Sequence, residues 1–256
     1  MIYGLALVFL SFSGLTIATL ISDKKRRGLK ERNLKAWSID AANLLVQGLL
    51  IPVVQTYLLA SLWGYLFPKY QGTVAIPGAL SFLLSFALID YLYYWNHRAL
   101  HSEKLWRWHR LHHSAERLDF FVTSRNSLFT PVLIVYLWVN SLFVYLLGDA
   151  SFFILASSLG AVLDLWRHSE FHVKPEGLAY KVLAPWLILP QDHSWHHSKE
   201  LSGRNFGANL NLWDRLHNTF YRTTTSPKAW GELKSAELNF KEFFLPSKPS
   251  APGESR

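Results

Sequence analysis

Half of the 256 residues are hydrophobic and 17% are charged, against roughly 25% charged in an average soluble domain, so the composition points to a membrane protein. With no cysteine, the chain excludes disulfides, thiolate ligands, iron–sulfur clusters and a cysteine nucleophile, and any metal it holds sits on nitrogen and oxygen. The net charge of +8 comes from bases beside apolar runs, not from one polar module, which argues against nucleic acid and for the membrane surface as counter-charge.

Long uncharged runs predict spans at about 2–22, 41–67, 72–95, 127–148 and 150–166, the lengths needed to cross roughly 30 Å of hydrocarbon. The last is short and contains Asp164, so four spans is the alternative. The first run has no basic residue ahead of it and Lys24-Lys25-Arg26-Arg27 behind it, the pattern of a retained helix with its N-terminus outside. Five spans put segments 23–40, 96–126 and 167–256 on the cytoplasmic side. These hold 25 of the 26 Lys and Arg residues, leaving Lys69 outside, as the positive-inside rule requires. The expected fold is therefore an all-α, multi-pass membrane helical bundle with a histidine-rich cytoplasmic cap, one domain over 1–256 with no internal repeat.

Ten of the eleven histidines fall into four clusters: His97 with His101, His109 with His112 and His113, His168 with His172, and His193 with His196 and His197. Residues three or four apart share a helix face, so each cluster aims imidazoles at one spot, as helical metal-ligand pairs do. Four such clusters supply two metal ions, and all four lie on the cytoplasmic side of the five-span layout. The first pair continues the third span, and the third pair continues the fifth. Segment 102–116 is expected to be a short helix carrying His109, His112 and His113. The stretch 173–191, interrupted by Pro175, Pro185 and Pro190, is expected to be partly embedded in the membrane interface, with a helix of His193, His196 and His197 after it. His217 stands apart as a structural or surface histidine. Asp90, Asp164 and Asp192 are the carboxylates placed to orient metal-bound rings through their second nitrogen, with Glu116 and Glu170 weaker. The tail 224–256 rises in Pro, Ser and Lys, and 246–256 reads as disordered.

The chain at this point resembles the fatty acid hydroxylase superfamily of integral-membrane di-iron enzymes, which includes sterol desaturases, sphingolipid and fatty acid hydroxylases and alkylglycerol monooxygenase. The resemblance covers about residues 80–222. It rests on His97-Arg-Ala-Leu-His101, His109-Arg-Leu-His112-His113, His168-Ser-Glu-Phe-His172 and His193-Ser-Trp-His196-His197. It extends to Asp90-Tyr-Leu-Tyr-Tyr-Trp-Asn96, Asn205-Phe-Gly207 and Trp213-Asp-Arg215. The run His112-His113-Ser-Ala-Glu116 leans toward the alkylglycerol-monooxygenase-like and bacterial members.

The resemblance implies two irons held by the ten clustered histidines, with zinc a possible occupant after purification, and dioxygen as co-substrate. It implies hydroxylation of an unactivated carbon of a membrane lipid, with desaturation as the other outcome of the same site. Electrons come from a separate donor, of the cytochrome b5 or ferredoxin–reductase kind, since this sequence has neither a spare pair of axial histidines nor cysteines for a cluster. The membrane is a bacterial inner membrane or the endoplasmic reticulum. Two other readings stand beside it: a zinc-dependent membrane lipid hydrolase, for which ten histidines are too many, and a non-enzymatic membrane metal-binding protein.

Overall fold

The computed structural model describes residues 2–201, 203–231, 240–244 and 246, so most of the tail segment expected to be disordered lies outside the described residues. Among these residues every element is helical, and β pairing is limited to isolated bridges. Three helices are long and apolar enough to cross a membrane: Tyr3–Ile21, Leu34–Leu66 and Gly78–Leu100. Their outer faces carry Leu5, Phe9, Leu10, Leu45, Leu49, Leu80 and Leu83, all exposed, as suits lipid contact.

Local sequence explains where these helices begin and bend. Asn33 starts the second, its side chain accepting from Ala36 N at 2.8 Å, which satisfies one of the free N–H groups of a helix start. Pro52 lies inside that helix between two π-helical stretches, Val46–Leu50 and Val54–Leu59. Its ring crowds the carbonyl four residues back, Gly48, and lacks an N–H to donate, so the helix widens around it.

The fourth and fifth runs differ from the expected pair of full spans. The fourth breaks at Ile134, whose backbone is extended (ψ 127°), into Thr130–Leu133 and the twelve-residue Val135–Leu146, about 18 Å long at 1.5 Å per residue. The fifth is the 17-residue helix Ser151–Arg167, about 26 Å. Even so, the turn joining them pairs with the loop joining the second and third long helices. Gly72 N donates to Tyr145 O at 3.0 Å, Val74 N to Leu146 O at 2.9 Å and Gly148 N to Val74 O at 3.1 Å. The two connections therefore lie at the same end of the bundle.

Ser151–Arg167 is the hub, packed along Tyr3–Ile21 on one side and the start of Gly78–Leu100 on the other. Gly4 lies against Ser158 and Gly78 against the Phe152 ring, close approaches that leave no room for a Cβ. Leu34–Leu66 packs on Val135–Leu146, where Trp63 Nε1 donates to Ser141 Oγ at 3.0 Å. At the other end of the bundle the largest fully buried side chains include Arg125, Tyr94, His97 and His113. A polar core gathered at one end is where the histidines meet.

Segment 102–116 is not one helix. It forms a single turn, Trp106–His109, and then a 3-10 turn, His112–Ser114. The stretch 173–191 carries the short helix Leu178–Leu183 and exposes Leu178, Val182 and Trp186. Pro190 then opens the helix Pro190–His196 at a position where a missing N–H costs nothing.

Candidate metal centre

Nine histidines converge in two groups. His97, His101, His109, His113 and His196 form one, and His112, His168, His193 and His197 the other, with one ring nitrogen of each residue within 4.8 Å of the others in its group. Helix ends do most of the positioning: His97 is in the last turn of Gly78–Leu100 with His101 capping it, and His168 caps Ser151–Arg167. The second and fourth boxes each divide between the groups: His109 and His113 go to the first and His112 to the second, while His193 and His197 go to the second and His196 to the first. His101 is half-buried and the remaining eight are buried.

Hydrogen bonds decide which nitrogens are free. A carbonyl can only accept, so a ring nitrogen bonded to one carries the proton, and the other nitrogen of a neutral ring is a bare lone pair. His97 Nδ1 donates to Phe206 O at 2.8 Å, His112 Nδ1 to Arg125 O at 3.1 Å, His168 Nδ1 to Asp164 O at 2.9 Å and His196 Nδ1 to Arg204 O at 2.7 Å. Their Nε2 atoms therefore point inward unprotonated. The inward nitrogens crowd: His97 and His109 Nε2 are 3.0 Å apart, His112 and His168 3.1 Å, His168 and His193 3.0 Å, His193 and His197 3.1 Å. His101 Nε2, both nitrogens of His113 and His196 Nε2 are buried without a hydrogen-bond partner.

Protonation does not relieve this crowding. Burial pushes His109, His113, His193, His196 and His197 well below the usual imidazole range, and neighbouring imidazoles push the same way. His112 is lowered to about 3, by burial first and by His168 second. Buried neutral rings whose lone pairs converge fit metal cations, and two groups fit two.

The loop 204–214 holds much of this geometry. Asn205 adopts a left-handed backbone, φ 55°, which lets the carbonyls on either side of it, Arg204 and Phe206, each accept from a histidine. Its side chain bonds Asp192 O and Tyr221 O, both at 2.8 Å. Asp214 accepts from Phe206 N at 2.8 Å and Gly207 N at 2.7 Å. A Cβ on Gly207 would meet Leu210 O at 2.7 Å and Asp214 Oδ2 at 2.8 Å, so glycine is required at this close approach.

Of the three carboxylates expected to orient histidines, Asp90 and Asp192 bond elsewhere, and backbone carbonyls take the Nδ1 protons of four of the nine rings. Asp90 accepts from Asn209 N, Leu210 N and Trp213 Nε1 at 2.9 to 3.0 Å, pinning the same loop. Asp192 forms an ion pair with Arg222 at 2.5 Å and accepts from Leu189 N at 2.8 Å. Asp164 comes nearest to the expected role: its carboxylate is 3.4 Å from His168 Nδ1 and pairs with Arg167, while its backbone carbonyl takes the His168 proton. Glu170 pairs with Arg117, and Glu116 is exposed.

His172 is not brought to either group. The helix stops at Arg167, so a spacing of four past His168 no longer means a shared face, and His172 is exposed. His217, as expected, stands apart: it stacks on Tyr94 and Tyr91, with ring centroids at 5.0 and 5.8 Å. Sequence reasoning missed Arg125 and Asp40. Their buried pair, at 2.6 Å, holds the backbone that supplies the His112 acceptor.

The model of the fatty acid hydroxylase family matches residues 82–219, more than half of the chain and the span of all four histidine boxes. The chain belongs to the fatty acid hydroxylase family. Similar relatives include the ornithine lipid hydroxylase OlsE of Rhizobium tropici, 31% identical over 157 residues, which are 57% of this chain and 43% of that protein. An alkylglycerol monooxygenase of Danio rerio is 30% identical over 145 residues, 56% of this chain and 31% of the relative. The fatty acid hydroxylase vlmA of a Lecanicillium species is 28% identical over 148 residues, 52% and 39% of the two chains. The matched part is thus less than half the length of each of these relatives. No solved structure matches the chain.

In this fatty acid hydroxylase family member a cavity of about 290 Å³ adjoins both groups, touching His109, His112, His168 and His193. It extends between the helices to Gln47 and Ile51 on one side and Asn140, Ser157 and Gly160 on the other. A molecule lodged there would place its atoms next to the converging imidazoles.

Proposed function

We propose that this chain is an integral-membrane oxygenase that oxidises an unactivated carbon of a membrane lipid, using two irons, dioxygen and electrons from a separate donor. The observation that carries this reading is the pair of buried imidazole groups with inward lone pairs, set against a cavity that opens between apolar helices. The nine converging histidines would hold the metals, five and four. Phe206, Arg125, Asp164 and Arg204 carbonyls fix the ring orientations, and burial keeps bulk water from the rings. Iron, when bound, supplies the redox chemistry that splits dioxygen; zinc suits the same imidazoles but supplies none.

Hydroxylation puts one oxygen atom into a C–H bond, and the other leaves as water after two electrons and two protons arrive. Desaturation removes hydrogen from two adjacent carbons, and both oxygen atoms leave as water. The electrons come from a cytochrome b5- or ferredoxin/reductase-type partner docking on the basic face.

We place the histidine cap on the cytoplasmic side of a five-pass arrangement in a bacterial inner membrane or the endoplasmic reticulum. Here the hairpin of Val135–Leu146 and Ser151–Arg167 reaches the far side, as its pairing with the 72–74 loop supports. The exposed Leu178, Val182 and Trp186 rest in the interface beside the cap. Residues 80–222 form the working core of a single domain.

The test is metal analysis of purified protein, together with dioxygen uptake on added lipid and reductant. Two metals per chain, and lipid that gains one oxygen or loses two hydrogens, are expected. One metal per chain, or no uptake by iron-loaded protein across the membrane's own lipids, would overturn the reading.

A further inference from the structure

The last turns of Gly78–Leu100 carry, besides His97, an aromatic cluster outside both histidine groups. Tyr94 is fully buried and Trp95 is 44% exposed, their rings edge to face at 5.5 Å. His217 stacks on Tyr94, and the Arg98 guanidinium lies over the Trp95 ring at 5.4 Å. Neither Tyr94 nor Trp95 lines the cavity.

The Tyr94 hydroxyl heads a directed hydrogen-bond chain. It is 3.0 Å from Thr219 Oγ1, which is 2.7 Å from Asp214 Oδ1. Both Asp214 oxygens also accept from backbone N–H groups, as a carboxylate does. A carboxylate only accepts, so the single Thr219 proton goes to Asp214 and the Tyr94 proton goes to Thr219. Burial pushes the Asp214 carboxyl up, which makes it a readier proton acceptor. Arg98 Nη1 donates to the Tyr94 oxygen at 3.4 Å.

Phe206 links this tyrosine to the first histidine group. Its ring centroid is 6.2 Å from that of Tyr94, and 5.8, 5.2 and 5.6 Å from those of His97, His101 and His196. Electron tunnelling falls off steeply with distance, and rings in contact keep each step short. Trp95 continues the line from Tyr94 to the surface. Losing an electron makes a phenol strongly acidic, so a buried tyrosine is oxidised readily only where a base takes its proton, and Asp214 is placed to do so through Thr219. Tyr93 lies nearer to a ligand, 5.3 Å from His97, but its hydroxyl meets no acceptor among the described residues.

We propose that Tyr94 is a redox-active tyrosine through which an oxidising equivalent at the first histidine group is discharged to Trp95 and the surface when no lipid is there to be oxidised. Tyr94 gives one electron to that group, and its phenolic proton passes to Thr219 as the Thr219 proton passes to Asp214. Trp95 then returns one electron to Tyr94, both protons move back, and the external reductant restores Trp95 with one electron. The net change is one reductant electron cancelling one oxidising equivalent. Only the origin of that equivalent rests on the oxygenase reading; the redox activity of Tyr94 does not.

The test oxidises the cluster from two directions in full-length, metal-loaded protein. The chain has no cysteine, so Leu216→Cys, at an exposed position beside His217, takes a single ruthenium tris-bipyridine label. A laser flash with an electron-accepting quencher turns the label into a one-electron oxidant, and zinc-loaded protein keeps redox metals out of this arm. A neutral tyrosyl radical should follow, read by transient absorption and by electron paramagnetic resonance with ring-deuterated tyrosine. It should be lost in Tyr94→Phe and form more slowly in Thr219→Val, whereas a purely structural hydroxyl would move only the melting temperature. In the second arm, iron-loaded protein is reduced and given dioxygen without lipid. The same radical should form, vanish in Tyr94→Phe and last longer in Trp95→Phe. Metal content and melting temperature confirm that each variant is folded, and Thr219→Val decides the matter if Tyr94→Phe does not fold. No tyrosyl radical from the flash, or one unchanged in Tyr94→Phe or Thr219→Val, overturns the proposal. Dioxygen consumed with no Tyr94 radical overturns it too, since the cluster would then be cut off from the metals. A flash radical on Tyr94 with no dioxygen consumption by iron-loaded protein would uphold the redox-active tyrosine and sink the oxygenase reading instead.

Discussion

The Nε2 atoms of His112 and His168 face each other at 3.1 Å although each ring has committed its Nδ1 proton to a carbonyl. Two neutral rings so bonded meet lone pair to lone pair at that separation and repel. A shared cation converts the repulsion into two ligand bonds. Folding and metal binding are thereby linked, because only the folded chain brings these nitrogens together.

Removing the metals should consequently destabilise the protein. Free metal at 100 times its dissociation constant is worth about 2.7 kcal/mol. Chelator-treated protein in detergent should melt at a clearly lower temperature than metal-loaded protein and recover on re-addition. An unchanged midpoint would mean that the convergent nitrogens tolerate each other without a metal.

The histidines should separate into two classes. Replacing His101, His113, His168 or His197 by Ala removes a member of a convergent group, so metal content should fall and lipid oxidation be lost. His172→Ala and His217→Ala should keep both within about threefold, since the first is exposed and the second is stacked among aromatics. Elemental analysis of the purified variants separates the classes. Loss of a metal in His172→Ala would show that the chain after Arg167 folds back onto the site when metal binds.

Asp214 makes a different prediction, about the carbonyls that orient the rings. Asp214→Ala leaves the buried Phe206 and Gly207 N–H groups without their acceptor, an expected loss of about 1–3 kcal/mol for each unsatisfied group. The turn carrying the Arg204 and Phe206 carbonyls should loosen with it, and metal affinity should drop roughly 10–100-fold, as for other partners of metal-bound histidines. Thermal melts and metal titration measure the two effects. Stability lost with affinity intact would confine Asp214 to a structural role.

Nine of the ten clustered histidines come together as the clustering suggests, and helix geometry accounts for the pairs His97 with His101 and His193 with His197, each four residues apart at a helix end. His172 was not legible, since the spacing argument holds only while the helix continues and Arg167 ends it. The division of the second and fourth boxes was also hidden, because a spacing of three or four says which rings share a face and not which metal group each meets: His109 stays with His113 and His193 with His197, while His112 and His196 go to the opposite groups. The acceptors for the outer ring nitrogens were invisible because every residue has a carbonyl. The one available signal was Asn205 ahead of Phe-Gly, an asparagine suited to the left-handed backbone it adopts. Hydropathy likewise reports the length of an apolar run and not its continuity, so 127–148 read as one span although Pro131 and the extended Ile134 divide it.

Stability of the metal-free protein should depend on pH with a definite sign. An unfolded histidine protonates near 6.5, while burial holds His112 to about 3 and lowers His109, His113, His193, His196 and His197 as well. Between these limits the unfolded chain binds protons that the folded one refuses, so stability falls as pH drops below 6.5, by up to about 1.4 kcal/mol per pH unit for each such group. Melting temperatures at pH 7.5, 6.5 and 5.5 should decline across the series. His112→Gln should flatten the slope by about one proton's worth. A flat profile would mean that these rings are solvated.

The crossing pattern can be tested cleanly because the chain has no cysteine of its own. Lys30, Glu103 and Glu176 are exposed at the histidine end of the bundle, and Tyr70 and Asp149 are exposed at the turns that pair with or adjoin each other at the far end. Single replacements Lys30→Cys, Glu103→Cys, Glu176→Cys, Tyr70→Cys and Asp149→Cys can be labelled in intact cells with a thiol reagent that does not cross membranes. Tyr70→Cys and Asp149→Cys should react from outside, and the other three only after permeabilisation, since the basic residues concentrate on their side. The informative case is Asp149. The helix Val135–Leu146 is too short to cross alone, but its turn is hydrogen-bonded at the level of residues 72–74, so reagent that reaches residue 70 must reach residue 149. Protection of Asp149→Cys with Tyr70→Cys labelled would mean that the hairpin stops short of the surface and the chain crosses three times, leaving the histidines on the same side in either case.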